Sequence, residues 1–232
     1  PVVLVGDDKR LGTTVIITNI TFIRVTVYLS GVSVVFTNTM FITCKLTDTY
    51  KLNILQIYLS FFLTIWTGTL QYSMLDLSCT TMIHLIISRS LLVNTALNIS
   101  CDKCSLQIKN ITISVRYKSF QPFPLFKLSM RKSVQFQKEF SNIKMSRNIV
   151  HLFNVRVIVK YRKSDQFLQF LYIHMSSLDL DITKSTFIGI SQPVKLILGD
   201  EESAISPYMF LVNIKMCKFI GSQGGTKGIV YV

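Results

Sequence analysis

Short stretches in which apolar and polar residues alternate recur along this chain. In 111–115, 155–159, 178–182 and 212–216 every second residue is apolar, and most of the residues between are polar. Because successive side chains on a β-strand point to opposite faces, each stretch predicts a strand with one buried face. A strand pattern that returns at intervals predicts a stack of similar units.

The composition favours strands over helices. Hydrophobic residues make up 49% of the 232 residues and charged residues 16%. Val, Ile, Thr, Phe and Tyr are abundant, whereas alanine occurs only at Ala96 and Ala204. β-Branched and aromatic side chains suit a pleated surface, so we predict an all-β fold.

A large apolar residue near the end of each predicted strand serves as a marker of the repeat. Taken in order, these markers are separated by 19 to 44 residues: Phe22, Phe41, Phe61, Met82, Ile113, Val157, Phe187 and Phe219. One turn of a β-solenoid takes about twenty residues or more, and the interval of 44 leaves room for a skipped coil. We therefore predict one solenoid of about eight or nine coils over 1–232, either whole or a fragment of a longer chain. Within it, 121–150 is expected to form a corner insertion or an irregular coil.

Two related segments carry a family resemblance. The stretches 182–191 and 214–222 both end a strand in Phe-Ile-Gly, at Phe187 and Phe219, and Gly224-Gly225 comes after the second. This pattern resembles the repeats of right-handed parallel β-helix proteins, the pectin-lyase-like superfamily. The resemblance implies a right-handed parallel β-helix. It does not imply one activity, because that fold hosts lyases, hydrolases, adhesins and inert fibres.

The net charge of +13 is concentrated in the middle of the chain. Residues 103–163 carry fourteen Lys or Arg and one acidic residue, Glu139. A dense cationic surface attracts polyanions such as acidic glycans, although a solvated surface explains the charge equally well. Aromatic residues lie in this belt too, but no nucleic-acid-binding motif occurs, so nucleic acid is not favoured. The polyanion-binding candidates are Lys103, Lys109, Arg116, Lys118, Arg131, Lys132, Arg156, Lys160, Arg162 and Lys163.

The sequons point weakly to the outside of the cell, and the cysteines leave their pairing open. Cys101 and Cys104 form a lone C-x-x-C that lacks the second pair of a zinc site, and either a local disulfide or two ordinary thiols would explain it. Asn19, Asn98 and Asn110 stand in N-glycosylation sequons. We expect an extracellular or cell-surface protein.

Nothing in the sequence predicts an active site, a metal site or a cofactor. The single candidate for an acidic pair of a polysaccharide hydrolase or lyase is Asp179 with Asp181, two apart on one predicted strand. Two solvated carboxylates explain that pair better. His84, His151 and His174 are far apart in sequence, and no catalytic motif surrounds them.

Two uncharged stretches, 25–44 and 52–75, are each long enough to cross a bilayer as a helix. Polar residues at strand spacing within them, such as Thr67, Thr69 and Gln71, favour strands instead. Membrane association is therefore left open as a third interpretation.

The first functional prediction is a non-catalytic structural or adhesive solenoid. The segments at the two ends of the sequence, 1–5 and 228–232, are apolar and strand-like. Unpaired strand edges bind other strands, so we expect self-association through the end strands, for example as a head-to-tail filament. The alternative is an acidic-glycan-binding module that uses the belt 103–163.

Overall fold

In a computed structural model of the protein, the chain forms strands and bends only, in the parts that the structure describes. These parts are 2–5, 14–30, 33–47, 60–115, 125–129, 148–159, 169–175, 177–190, 192–198, 210–221 and 230–231. The strands are β1 (Val2–Val5), β2 (Thr14–Thr18), β3 (Thr21–Ile23), β4 (Thr26–Ser30), β5 (Ser33–Thr37), β6 (Met40–Ile42), β7 (Lys45–Thr47), β8 (Ser60–Trp66), β9 (Thr69–Gln71), β10 (Met74–Ser88), β11 (Leu91–Val93), β12 (Ala96–Val115), β13 (Phe126–Ser129), β14 (Asn148–Val159), β15 (Gln169–Met175), β16 (Leu178–Thr183), β17 (Thr186–Ile188), β18 (Gln192–Leu198), β19 (Phe210–Lys215), β20 (Lys218–Ile220) and β21 (Val230–Tyr231).

Every strand pairing is parallel, and the pairings fall into three stacks that the chain visits in turn. Stack A contains β2, β5, β8, the second half of β10, the middle of β12, the first half of β14, β16 and β19. Stack B contains β3, β6, β9, β11, the end of β12, the end of β14, β17 and β20. Stack C contains β1, β4, β7, the starts of β10 and β12, β13, β15, β18 and β21. The fold is therefore an all-β parallel solenoid, as predicted.

The core consists of columns of apolar side chains that run along the stacks. Leu63, Leu85 and Leu106 occupy one inward column of stack A and are fully buried. Stack B contributes aromatic contacts: the rings of Phe22 and Phe41 stack at 5.1 Å, and those of Phe187 and Phe219 at 5.3 Å. Parallel pairing sets equivalent residues about 4.8 Å apart, so each apolar side chain packs on its counterpart in the next coil.

A residue with positive φ marks the bend between stacks A and B, which we call the first corner. These residues have φ between +49° and +56°, and they are Asn19, Asn38, Thr67, Arg89, Asn110, Asn154, Lys184 and Met216. This backbone conformation is unfavourable for most L-residues and is tolerated best by Asn and Gly. Hydrogen bonds to the next coil offset the cost: Asn38 N–H donates to Trp66 O at 3.1 Å, and Arg89 N–H donates to Lys109 O at 3.0 Å.

The bend between stacks B and C, the second corner, uses the same conformation. Gly189, with φ of +72°, is one of its residues, and a Cβ there would lie 2.9 Å from Val159 O. The close approach explains why the Phe-Ile-Gly pattern ends in glycine at this position.

Small hydroxyl residues line the inside of both corners. Ser73, Ser90 and Ser185 each come directly after a positive-φ residue and are buried. Each hydroxyl accepts a backbone N–H from the equivalent residue of the preceding coil and donates to the carbonyl two residues earlier in its own coil. The accepted N–H groups belong to Cys44 (3.2 Å), Gly68 (3.1 Å) and Val155 (3.1 Å), and the carbonyls to Gln71 (3.0 Å), Ser88 (2.8 Å) and Thr183 (3.1 Å).

Two of the repeat markers chosen from sequence are wrong. Phe61 and Met82 lie in stack A, where Phe61 pairs with Ile83 and Met82 with Ser60. The stack B column continues through Leu70 and Leu92 instead. Both columns are apolar, so composition does not distinguish them.

The interval of 44 residues does not contain a skipped coil. Ile113 and Val157 are direct partners in adjacent parallel strands. The extra residues are therefore inserted within one turn of the solenoid. Of the predicted insertion 121–150, only 125–129 and 148–150 are described, and they form β13 and the start of β14 with the bend before β13. The number of coils and the right-handed sense stay predictions.

The two uncharged stretches form strands joined by bends wherever the structure describes them. Residues 25–44 contain β4, β5 and β6, and residues 60–75 contain β8, β9 and the start of β10. Among the described residues, we find no helix with the length and apolarity needed to span a membrane.

The buried hydroxyl of Ser73 is expected to stabilise the solenoid measurably. Ser73→Ala removes the acceptor of the buried Cys44 N–H, so we expect a loss of about 1–3 kcal/mol in unfolding free energy, measured by denaturant titration. The matched control is Ser33→Ala, at a half-buried, outward-facing position of β5. Equal losses in both variants would contradict the role given to the corner hydroxyl.

Candidate functional site

Two of the ten candidate cations predicted from the basic belt have side chains that the structure describes. Lys109 and Arg156 are both exposed, at the end of the stack A segment of β12 and in the stack B segment of β14. Lys103 lies in β12. The other candidates fall outside the described residues: Arg116, Lys118, Arg131, Lys132, Lys160, Arg162 and Lys163.

The first corner brings Lys109 and Arg156 together with cations from outside the belt. Lys109 is in register with Phe153, Thr183 and then Lys215, on the strand position just before the bend. We define the corner ridge as the six exposed cations at this corner: Arg89, Lys109, Arg156, Lys184, Lys215 and Lys218.

The remaining ridge cations take the two neighbouring positions of the same bend. Arg89 and Lys184 are positive-φ residues of the bend itself. Lys218 lies just after the bend, in register with Thr186 and Arg156. Since adjacent coils are about 4.8 Å apart, the ridge crosses five coils over about 19 Å.

None of the six ridge cations forms an ion pair with a described residue. The salt bridge found among the described residues joins Lys45 Nζ to Asp76 Oδ2 at 2.9 Å, on stack C. Like charges on neighbouring coils repel one another, and an anionic partner would relieve that repulsion.

Two aromatic rings hold ridge cations in place. The guanidinium of Arg89 lies 5.2 Å from the ring centre of Trp66, and Lys184 Nζ lies 5.5 Å from that of Phe153. Such contacts contribute about 0.5–1 kcal/mol at exposed sites, and they orient the cation without neutralising it. The ridge is thus partly preorganised.

An amide pair continues the ridge between its cations. Asn154 Nδ2 donates to Asn110 Oδ1 at 2.9 Å, and both side chains are exposed. Each amide retains hydrogen-bonding groups that the pair does not use. The ridge therefore offers neutral donors and acceptors beside the charges.

The acidic pair Asp179 and Asp181 lies on the outward face of β16, as predicted, and both residues are half-buried. Asp181 Oδ1 accepts hydrogen bonds from Thr183 Oγ1 at 2.5 Å and Asn213 Nδ2 at 3.2 Å. The Oδ1 atom of Asp181 is therefore already engaged by side chains of its own and the neighbouring strand.

Sequence reasoning missed that His151 is the register partner of Asp181 on the neighbouring strand. Thirty residues separate the two in the chain, so no local motif could have revealed the neighbourhood. Within the described parts of the chain, no cluster of three or more His, Cys, Asp or Glu residues has a geometry suited to a metal ion.

Most of the described cysteine side chains are buried inside the solenoid. Cys101 and Cys104 are both buried, and the disulfide between them stays a prediction. Cys44 and Cys217 come directly after positive-φ residues at the corners and donate to backbone carbonyls, Cys44 to Phe22 O at 3.3 Å and Cys217 to Ile182 O at 3.4 Å. Burial is the main cause that raises the pKa of the Cys217 thiol.

The three sequons differ in their surroundings. Asn19 and Asn110 are exposed residues of the first corner. Asn98 is half-buried on stack C, and its Nδ2 donates to Asp76 Oδ1 at 2.9 Å. A glycan on Asn98 would be attached to the nitrogen that makes this hydrogen bond, whereas Asn19 and Asn110 are exposed.

Comparisons with known proteins leave the family open. A scan against protein-family models gave no match, and searches of curated proteins and of solved structures gave none either. The function is therefore inferred from the solenoid geometry and from the side chains that it brings together.

His84 is expected to make the stability of the solenoid depend on pH. Burial lowers the pKa of its imidazole below the usual 6.5, so the unfolded chain binds the proton more readily than the folded one. Stability should decrease as the pH falls below about 6.5, until the lowered folded pKa is passed. Denaturant titrations of wild type and His84→Gln between pH 7.5 and 5 would measure this decrease in unfolding free energy. A variant that retains the full pH dependence would exclude His84 as the cause.

Proposed function

We propose that this protein is a non-catalytic structural and adhesive β-solenoid, exposed outside the cell, that binds polyanions through the corner ridge. The proposal includes kinship with the pectin-lyase-like β-helices, on the strength of the Phe-Ile-Gly corners at Phe187 and Phe219. The single observation that carries it is the alignment of six cations without an ionic partner among the described residues.

Charge and geometry together support an extended anionic partner. The ridge is linear, and its cations repeat with the rise of the coils, about 4.8 Å. A polymer with closely spaced negative charges can lie along it and contact several cations at once. An acidic glycan, the partner expected from the basic belt, has that form, and the Asn110–Asn154 amides could bind its hydroxyl groups.

Absence of catalysis is part of the proposal. Asp181 already accepts two hydrogen bonds, and its register partners, His151 and Asn213, are not carboxylates. A pair of carboxyl groups on facing sides of a sugar is what glycoside hydrolysis requires.

Binding to a soluble acidic polysaccharide should decrease when ridge charges are removed. We expect Lys215→Gln/Lys218→Gln to weaken binding and to lower the slope of log K against log salt by about two, because two fewer counterions are released. Isothermal titration at several salt concentrations measures both quantities.

The matched control removes the same charge elsewhere. Lys127 and Lys195 lie on the outward face of stack C, and Lys127→Gln/Lys195→Gln should leave the salt slope nearly unchanged. Equal effects of the two double variants would show that net charge, not the ridge, drives binding.

A second candidate function is head-to-tail assembly through the end coils. Equivalent columns run from the first described coil to the last, with Val15, Ile17 and Phe22 at one end and Val212, Ile214 and Phe219 at the other. A second copy placed on the last coil would continue the apolar columns with like residues. Contacts of this kind generate filaments when they do not close.

Filaments should form at low and at high salt, since apolar contacts persist or strengthen with salt. Negative-stain electron microscopy without detergent would detect them. Val212→Lys places a charge on the end coil and should shorten or abolish the filaments, whereas Leu91→Lys, in the middle of stack B, should not. Short rods for the wild type at both salts would contradict assembly.

A further inference from the structure

Large apolar side chains are exposed between the cations of the corner ridge. Trp66 is 41% exposed, Leu91 40%, Phe153 38% and Met216 76%. All four lie at the first corner: Trp66 and Phe153 just before the bend, Met216 within it and Leu91 just after it. A surface that only had to bind a hydrophilic polymer would not require the exposed aliphatic side chains of Leu91 and Met216.

We propose that the corner ridge docks on the surface of an anionic lipid bilayer, with its cations at the headgroups and its apolar side chains inserted between them. This proposal rests on the proposed polyanion binding and specifies the partner. It differs from a membrane-spanning interpretation, because the protein would lie on the bilayer and retain its solenoid fold.

The corner ridge combines cationic, aromatic and aliphatic side chains, which is the combination that favours binding at a bilayer interface. Cations gain attraction from anionic headgroups, and their aliphatic stems reach over apolar surface. Tryptophan prefers the headgroup region because its ring is apolar and its N–H is polar. Trp66 stands beside Arg89, and Phe153 beside Lys184, so each ring inserts next to a cation that would bind a headgroup.

The geometry allows these side chains to reach one plane. The positive-φ residues of the first corner occupy equivalent positions in successive coils, and paired strands link each coil to the next. In order along the ridge they are Thr67, Arg89, Asn110, Asn154, Lys184 and Met216. Five steps of about 4.8 Å separate the coil of Trp66 from that of Met216, a line of about 24 Å. A row of side chains at every step can contact a flat surface at several coils at once.

Trp66, the one tryptophan of the chain, is a built-in probe of this docking. The wild-type protein is titrated with phosphatidylcholine vesicles that contain about one-third phosphatidylserine, and with pure phosphatidylcholine vesicles. With the anionic vesicles alone, we expect Trp66 emission to shift to shorter wavelength and quenching by iodide to decrease. Sedimentation of the vesicles gives the bound fraction independently.

Two double variants separate charge from insertion. Lys215→Gln/Lys218→Gln should weaken vesicle binding by about fivefold for each cation removed, and it should weaken binding to soluble acidic polysaccharide as well. Leu91→Ser/Met216→Ser should weaken vesicle binding by about tenfold and leave polysaccharide binding unchanged. Ile23→Ser/Ile220→Ser removes two exposed apolar side chains at the second corner and is the matched control, with no expected effect on vesicles.

The outcomes distinguish bilayer docking from polyanion binding in general. If Leu91→Ser/Met216→Ser binds vesicles like the wild type, or if Trp66 emission does not shift, the bilayer proposal is wrong. If the wild type nevertheless binds soluble acidic polysaccharide, polyanion binding stands, with an acidic glycan as the partner. If the wild type binds neither anionic vesicles nor acidic polysaccharide, both proposals fail.

Discussion

Hydrogen bonding between coils is the constraint on which the rest of this solenoid depends. In strands and at bends alike, backbone N–H groups find their acceptors in a neighbouring coil, as Arg89 N–H does at Lys109 O. A buried backbone group without a partner is costly, so adjacent coils must bend at equivalent residues and in the same conformation. Asn110 and Asn154 both have positive φ because the two coils must bend in the same conformation.

Equivalent bends align side chains into columns, inside and outside. Inside, the columns bring like residues into contact, as with Phe187 on Phe219, and the corner hydroxyls link one coil to the next. Outside, the same register places Lys109, Phe153 and Lys215 in one line. The core and the corner ridge are therefore products of the same geometry, and a change at one corner residue acts on two neighbouring coils.

Sequence patterns predicted the strands well and the columns less well. Alternation at 178–182 depends on local neighbours only, so it can be read from the chain, and β16 confirms it. The choice of Phe61 and Met82 as markers failed because stacks A and B both bury apolar residues, and only pairing distinguishes them.

The corner ridge could not be predicted from the sequence for a related reason. Each of its coils contributes one or two cations, and equivalent bend residues of successive coils are 21 to 44 residues apart, so the cations leave no local cluster.

The first corner is the part of the solenoid in which a linear binding surface can be maintained. The longer connections of the chain come elsewhere: β12 is followed by β13, which leads from stack B to stack C, and β13 by β14, which leads from stack C to stack A. Between stacks A and B, each coil that the structure describes turns through one positive-φ residue and the residue after it. Forty-four residues separate Asn110 from Asn154, yet their amides are hydrogen-bonded at 2.9 Å. Insertions between stacks B and C or between stacks C and A therefore leave the spacing of the ridge unchanged, and a partner bound along it meets the same step at each coil.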